Sequence, residues 1–543
     1  MAAGRGTRRV LGDLLAAVLL VALLLLPDRL TRTDLGSFAA VPIEPVLGGV
    51  LLVVLPAGVR QPVAAAFGGL VGLLTALKLV DVGFYAALAR PFDLVLDWTL
   101  LPGVWVLLQG SLGGVTAVLV LAGLAVVVAT LLAAAVWATL RLSRLLTAHH
   151  EPAVRVLAAI GACWLACAAV GVRAVPPYPV ASASSTTKII GEVRAVREGL
   201  ADRERFAAEL AADRFSSVPA DDLVTGLRGT QVLVIFVESY GRVALADPAI
   251  AAAVTPVLDE GTRRLARTGW QARSGYLTSP TAGGGSWLAH ATLLSGLWID
   301  DQQRYRQLVA SDRRTLTGVF AEAGWRTVGI MPGNTSAWPD GAVYRYDEIR
   351  DSRSLGYAGP PYGWARVPDQ YTLAEAGRVL ETGSPAAPTM VVTPLITSHA
   401  PWTPVPTLVD PAAVGDGSGL TPATGTAEPP EAILTRDPSR VRADYGRSLA
   451  YTLSGVVAQL ARTPADDLVV IMVGDHQPAP VVTGPDAGRD VPITLLAGDP
   501  AVLERVRTWG WTTGLRPKGD APVWRMDAVR DRFLTDVAGA TPR

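Results

Sequence analysis

The segment LVVIMVGDHQPAP, residues 468–480, carries the pattern on which the fold class turns. Six apolar residues, Leu468 to Val473, run into Gly474, Asp475 and His476, and two prolines follow. The run has the length and β-branched content of a buried strand, which predicts a strand ending at the glycine with a carboxylate and an imidazole side by side at its tip. In open α/β sheets that carboxyl end is where ligands bind.

The same construction recurs along the chain. QVLVIFVESYG (231–241) delivers Glu238, and TMVVTPLITSHAPW (389–402) delivers His399. WRTVGIMPGN (325–334) and DVPITLLAG (490–498) add further short β-rich runs, with helix-compatible stretches between them. Strands alternating with helices predict an α/β domain over 225–543, a mostly parallel sheet sandwiched by helices. Two carboxylates and an imidazole at strand ends form a plausible ligand set for a divalent cation, with zinc, manganese and magnesium all compatible by donor type. Only five histidines occur, and His290, His399 and His476 are the three within this domain. His149 and His150 fall in a loop between apolar stretches.

The first third of the chain is different in kind. Of 543 residues half are hydrophobic, and the mean hydropathy is +0.33, high for a wholly soluble protein. Apolar stretches at 10–27, 43–59, 62–80, 113–139 and 154–174 are each near the ~20 residues that cross a bilayer as helix. The second is crowded by Pro42, Pro45 and Pro56. Residues 82–111 carry Arg90, Asp93 and Asp97 among aromatics including Trp98 and Trp105, the composition of an interfacial or re-entrant segment. A signal peptide over 1–30 fits less well, because no small-residue cleavage site follows and further apolar stretches do. With five spans, Arg5, Arg8, Arg9, Arg60, Arg141, Arg144 and Arg155 share one side, which the positive-inside rule makes cytoplasmic; Arg29 and Arg32 lie on the other. The expected organisation is a polytopic membrane domain over 1–175, a linker with a helical stretch over 176–224, and an extracellular domain from 225. Cys163 and Cys167 share one apolar stretch and suit neither a disulfide framework nor a zinc knuckle. Lys and Arg together number 48, as do Asp and Glu, so net charge gives no sign of a nucleic-acid partner.

YLTSPTAGGGSWLAHATLLSGL (276–297) holds the remaining chemistry. Three glycines, Gly283 to Gly285, lead into Ser286 at the start of a helix-compatible segment. Backbone N–H groups at a helix N-terminus favour an anionic oxygen, so Ser286 is either a nucleophile or an ordinary N-cap. His290, one turn later, lies on the same face.

These residues resemble the alkaline phosphatase/sulfatase superfamily, and within it the membrane-anchored lipoteichoic acid synthase-like branch of phosphoglycerol transferases. FVESYG, GGGSWLAHATLLSGL, SHAPW and GDHQ carry the resemblance, in that order, over 231 to about 500. It implies that Glu238, Asp475 and His476 hold one divalent metal, manganese first with magnesium or zinc as alternatives. It makes Ser286 a nucleophile that also touches the metal, and His399 a contact to the substrate phosphate. Asn334 and Trp338, in GNTSAW, would line the substrate pocket together with His290. The implied partners are a membrane lipid donor and a cell-envelope polymer or glycolipid acceptor. Two departures stand out. Ser286 is followed by Leu288 and His290 where sulfatases need proline and arginine for formylglycine formation, so an unmodified serine suited to phosphoryl transfer is expected. Where the lipoteichoic acid synthases place an arginine after the pocket tryptophan, this chain has Asp340, with Arg345 as a possible substitute. A phosphodiesterase or sulfatase-like hydrolase, and a non-catalytic surface binding protein, are the alternatives on the same fold.

Overall fold

A computed structural model describes residues 2–28, 40–100, 104–105, 108–109, 113–175, 178–362, 366–424, 436–484 and 487–541. The chain forms two compact units, Met1–Ala86 with Arg90–Ala201, and Ala87–Ala89 with Asp202–Arg543. Arg29 and Arg32 lie outside the described residues, as does part of the 82–111 stretch.

The first unit contains α1 (Ala2–Leu25), α2 (Glu44–Val54), α3 (Ala57–Leu88), α4 (Gly114–Ala148) and α5 (His150–Val170), and the start of α6 (Ser184–Ala211). Among the described residues, α3, α4 and α5 are long and apolar enough to cross a membrane. The first apolar stretch lies in α1. The second does not form a full crossing: α2 has 11 residues, about 16 Å of helix against a hydrocarbon layer of about 30 Å. Pro45 sits in its first turn and the chain extends at Leu55, so the prolines divide that stretch between α2 and α3. Leu20, Leu23 and Leu24 of α1 pack with Val71 of α3 and Ala135 of α4, and Asp13 pairs with Arg141 at 2.7 Å.

The second unit is built on a nine-stranded sheet. Its strands are β1 (Gln231–Val237), β2 (Gln271–Thr278), β3 (Arg326–Met331), β4 (Glu348–Asp351), β5 (Thr389–Leu395), β6 (Leu468–Gly474), β7 (Asp490–Ala497), β8 (Thr512–Thr513) and β9 (Val523–Arg525). The order is β8–β2–β7–β6–β1–β5–β3–β4, with β9 beside β2. β6, β1, β5, β3 and β4 run parallel. β7, however, is antiparallel to both β6 and β2, and β8 is antiparallel to β2. The sheet is therefore mixed rather than mostly parallel. Strand–helix alternation in a sequence shows that helices intervene; it does not show beside which strand, or in which direction, each run is laid.

Along β1, Val232, Val234 and Phe236 enter one apolar cluster while Leu233, Ile235 and Val237 enter the other. β6 does the same, with Val469, Ile471 and Val473 on one face and Val470 and Met472 on the other. Both faces are covered, which is why these strands read as unbroken apolar runs. Each such side chain contributes roughly 1.5–3 kcal/mol by leaving water. The register then sets the site: Gly474 lies opposite Val237, and Val237 opposite Leu395. Three parallel strands thus end at one level, and the residues after them emerge on the same edge of the sheet.

Candidate metal and nucleophile site

Glu238 is the first residue beyond β1, and Asp475 and His476 are the first two beyond β6; all three are buried. Each offers one ligand atom, and these atoms lie within 4.8 Å of one another. Gly474 makes the approach possible, since a Cβ there would stand 2.0 Å from the Tyr240 carbonyl oxygen. The chain then turns at Ser239, which has φ +57°, a left-handed conformation uncommon for a residue with a side chain. That turn directs the Ser239 N–H to Asp475 Oδ1 at 2.8 Å and its hydroxyl to Glu238 Oε1 at 2.9 Å.

The nucleophile candidate comes from a third segment. Ser286 is the first residue of the helix Ser286–Ser295, α7, after Gly285 with φ +80°. No side chain caps this helix, which disposes of the N-cap alternative for Ser286. Its hydroxyl instead donates to Glu238 Oε2 at 2.9 Å and lies 3.2 Å from His476 Nε2. His476 Nδ1 lies 2.8 Å from the Gln477 carbonyl. A carbonyl only accepts, so Nδ1 carries a proton and Nε2 is the atom that faces Ser286 and Glu238; once the ring gives up its second proton, Nε2 offers a lone pair there. This is the tautomer of a metal-ligating histidine held by a backbone acceptor.

The electrostatics fit a cation at the same point. Burial raises the Asp475 carboxyl, and the adjacent Glu238 charge adds to it, lifting it to about 7. Burial would lower His476, but the Asp475 and Glu238 charges outweigh it and lift the imidazole to about 9. Glu238 is opposed by burial yet held well below the usual carboxylate range by the His476 charge. Asp475 Oδ2 and His290 Nε2 are buried without hydrogen-bond partners and stand 3.9 Å apart. An orphaned buried carboxylate oxygen is costly in the absence of a counter-charge. A divalent ion held by Glu238, Asp475 and His476, with the Ser286 hydroxyl beside it, suits these donors.

The other predicted residues fall at varying removes. His290 stacks on Phe236, ring centroids 4.0 Å apart, and burial pushes its pKa down to about 4, so the ring is neutral near pH 7. His399 lies in the turn after β5, and its charge is felt at Glu238. Its Nδ1 is 2.7 Å from the Ala400 carbonyl, so Nδ1 is again the donor. Asn334 lies in the turn after β3, its carbonyl accepting from the Ser352 N–H and hydroxyl at 3.1 and 2.6 Å. Trp338 packs on Tyr344 at 5.6 Å. Among the described contacts none ties Asn334 or Trp338 to Ser286 or its ligand partners. Arg345 is ion-paired with Glu322, and Asp340 faces Tyr305.

Several supporting residues escape a sequence reading. Ser398 donates to the Glu238 carbonyl at 2.6 Å, Ser279 to the Asp475 carbonyl at 2.6 Å, and Tyr445 to the Ser239 carbonyl at 2.7 Å. They hold the backbone of the site, and no local pattern marks them, because each bond spans 160 to 206 residues.

With this geometry in hand, comparison with solved structures finds low-identity likenesses. The lipoteichoic acid synthase LtaP from Listeria monocytogenes is 12% identical, with 59% of this chain and 74% of that one covered and a TM-score of 0.40. The Streptococcus pyogenes phosphoglycerol transferase GacH, in complex with sn-glycerol-1-phosphate, is 13% identical over 62% and 83%, at 0.39. The integral membrane lipooligosaccharide phosphoethanolamine transferase EptA from Neisseria meningitidis is 12% identical over 92% and 87%, at 0.43. No family model matches the chain. No curated protein matches it either.

Proposed function

We propose that this protein is a metal-dependent phosphotransferase of the alkaline phosphatase/sulfatase type. It would work at the outer face of the cytoplasmic membrane, moving a phosphoglycerol-type head group from a phospholipid to a cell-envelope polymer or glycolipid. One observation carries the reading: the Ser286 hydroxyl, at a helix N-terminus, points at Glu238 Oε2 and His476 Nε2 beside the unpartnered Asp475 Oδ2.

Glu238, Asp475 and His476 would hold one divalent ion, manganese being the first candidate. When bound, the ion supplies charge neutralisation for the phosphodiester and acidifies the serine hydroxyl. The residues do the rest. Ser286 Oγ, its hydroxyl acidified at that position, gives up its proton to solvent and forms a bond to phosphorus as the bond from phosphorus to the lipid alcohol breaks. The α7 N-terminus favours the charge on the phosphoryl oxygens. His399, with Nδ1 committed to Ala400, donates through Nε2 when its ring is protonated, and so can hold a phosphoryl oxygen or return a proton to the leaving alkoxide. His290, neutral and stacked on Phe236, is placed to meet the same group. In the second half an acceptor hydroxyl gives its proton to the His399 ring, left neutral by the first half, as its oxygen bonds to phosphorus, and Ser286 Oγ leaves and takes back a proton from solvent. Confinement to the membrane raises the effective concentration of a lipid donor.

The test is intact mass spectrometry of the full-length protein in detergent with manganese and labelled phosphatidylglycerol. A phosphoglycerol-sized adduct on the Ser286 peptide, absent in Ser286→Ala, is the expected result. Diacylglycerol release that persists in Ser286→Ala would overturn the serine route.

A further inference from the structure

Helix α6 has an apolar stripe that no part of the described chain covers. Ile190, Val193, Val196 and Leu200 are 54, 52, 39 and 67% exposed. At 100° per residue they share one side of the helix. Arg194 borders that side at one edge, Arg203 and Glu192 border it at the other, where Glu192 is paired with Lys188, and Arg197 lies within it, while Glu198 and Ala195 face the opposite way. This is a helix with a narrow apolar face, cationic margins and a polar back. It is not one of the helices apolar enough to cross a membrane.

The start of α6 shows where that stripe lies. Within the first unit the Thr186 N–H donates to Glu44 Oε1 at 2.9 Å, at the first turn of α2. Lys188 pairs with Asp81 of α3. Lys78, also of α3, donates to Ser185 Oγ at 3.3 Å and to the Leu24 carbonyl near the end of α1 at 2.6 Å. Charged groups at this density belong to the edge of a membrane domain rather than its centre. α6 is thus fastened by its first turn to the ends of the membrane helices, and its exposed stripe begins within one turn of that anchor.

We propose that residues 189–203 of α6 lie in the lipid headgroup layer beside the membrane helices, with Ile190, Val193, Val196 and Leu200 in the acyl boundary and Arg194, Arg197 and Arg203 on anionic phosphates. Amphipathic helices bind in this way through apolar area and cationic margins together. The proposal does not depend on what the Glu238–Asp475–His476 site does.

The experiment uses the full-length protein with Cys163 and Cys167 replaced by alanine. Single cysteines are introduced as Val193→Cys, Leu200→Cys or Glu198→Cys, each at an exposed position, and labelled with an environment-sensitive fluorophore. The proteins are reconstituted in vesicles of two parts phosphatidylcholine to one part phosphatidylglycerol. At positions 193 and 200 the emission should be blue-shifted, quenched by a lipid spin-labelled near its headgroup, and several-fold less sensitive to aqueous iodide than at 198. Replacing phosphatidylglycerol by phosphatidylcholine should reduce the blue shift. Equal iodide quenching at all three positions overturns the proposal, because the stripe then faces water. Shielding from iodide without quenching by the spin-labelled lipid also overturns it, because the stripe is then covered by protein, a second copy included.

Discussion

Two buried acidic clusters in the second unit respond to burial in opposite ways. Asp213 has its side chain 7% exposed and receives Arg530 at 2.7 Å and Arg313 at 3.7 Å. Burial would raise its carboxyl, but the Arg530 charge, the Phe215 N–H and the Arg313 charge together outweigh burial and hold it below the usual range. Asp475 is buried too, and there the neighbouring Glu238 charge adds to burial, so that it is lifted to about 7. One cluster carries its own cations. The other gathers two carboxylates and an imidazole, is given no arginine or lysine partner among the described residues, and leaves Asp475 Oδ2 without a hydrogen-bond partner among them. A buried carboxylate that the chain itself neutralises is structural; one that it leaves short of positive charge is arranged for something the chain does not supply.

The largest expected effect breaks the chemistry and leaves both clusters in place. Ser286→Ala should lower lipid turnover by at least about 10³-fold, because among the described residues Ser286 carries the hydroxyl that meets both Glu238 and His476, whereas Ser239 meets Glu238 alone. Metal content by mass spectrometry and the melting temperature should stay as in the parent. Next come the two aspartates, which should fail differently. Asp475→Asn should abolish both metal retention and turnover, yet leave the metal-free fold no less stable, since it relieves a carboxylate–carboxylate contact. Asp213→Ala should destabilise by about 3 kcal/mol by stranding buried Arg530, while the folded fraction keeps its metal. Denaturant titration with metal analysis checks both, and identical behaviour of the two variants would erase the distinction.

The same contrast gives a pH dependence. Asp213 has a lowered pKa, so its contribution is present above the ordinary carboxylate value and is lost as pH falls through the lowered one. Asp475 and His476 have raised values, so the metal-free fold is favoured by their protons and loses that contribution as pH rises through about 7 and about 9. A cation competes for the same atoms. Its affinity should rise with pH, with about two protons released below pH 7 and about one between 7 and 9, and then level off. A chelator competition series across that range measures the slope; a flat profile would remove Asp475 and His476 from the ligand set.

The legible parts of this molecule are those written in contiguous residues. β1, β3, β5, β6 and β7 stand out because burial on both faces demands unbroken apolar runs, and their tips name Glu238, Asp475 and His476. β2 does not stand out: QARSGYLT pairs with three strands but mixes polar and apolar residues. Nor were the directions of β7 and β8 readable, because a strand's direction is set by partners elsewhere in the chain, over 200 residues away where β7 and β8 meet β2. The second apolar stretch was legible as apolar and as crowded by prolines, but not where those prolines would divide it between α2 and α3. Ser398, Ser279 and Tyr445 were invisible because they act on backbone carbonyls, a role any hydroxyl can take.

Smaller effects sharpen the borders of the site. His290→Gln should lower kcat/KM by about tenfold to 10²-fold, the range for losing one polar contact to a developing charge, without loss of metal. Arg345→Ala should do least. Its guanidinium is bound to Glu322 on a half-exposed surface, where such a pair is worth about 0–1 kcal/mol. The donor KM should change by less than about threefold if that pairing persists during turnover. A much larger rise would mean that Arg345 leaves Glu322 to meet the donor's head group. In that case Glu322→Gln, which frees the arginine in advance, should lower KM, and the pair would belong with Asp475 among the charges held ready for a ligand rather than with Asp213.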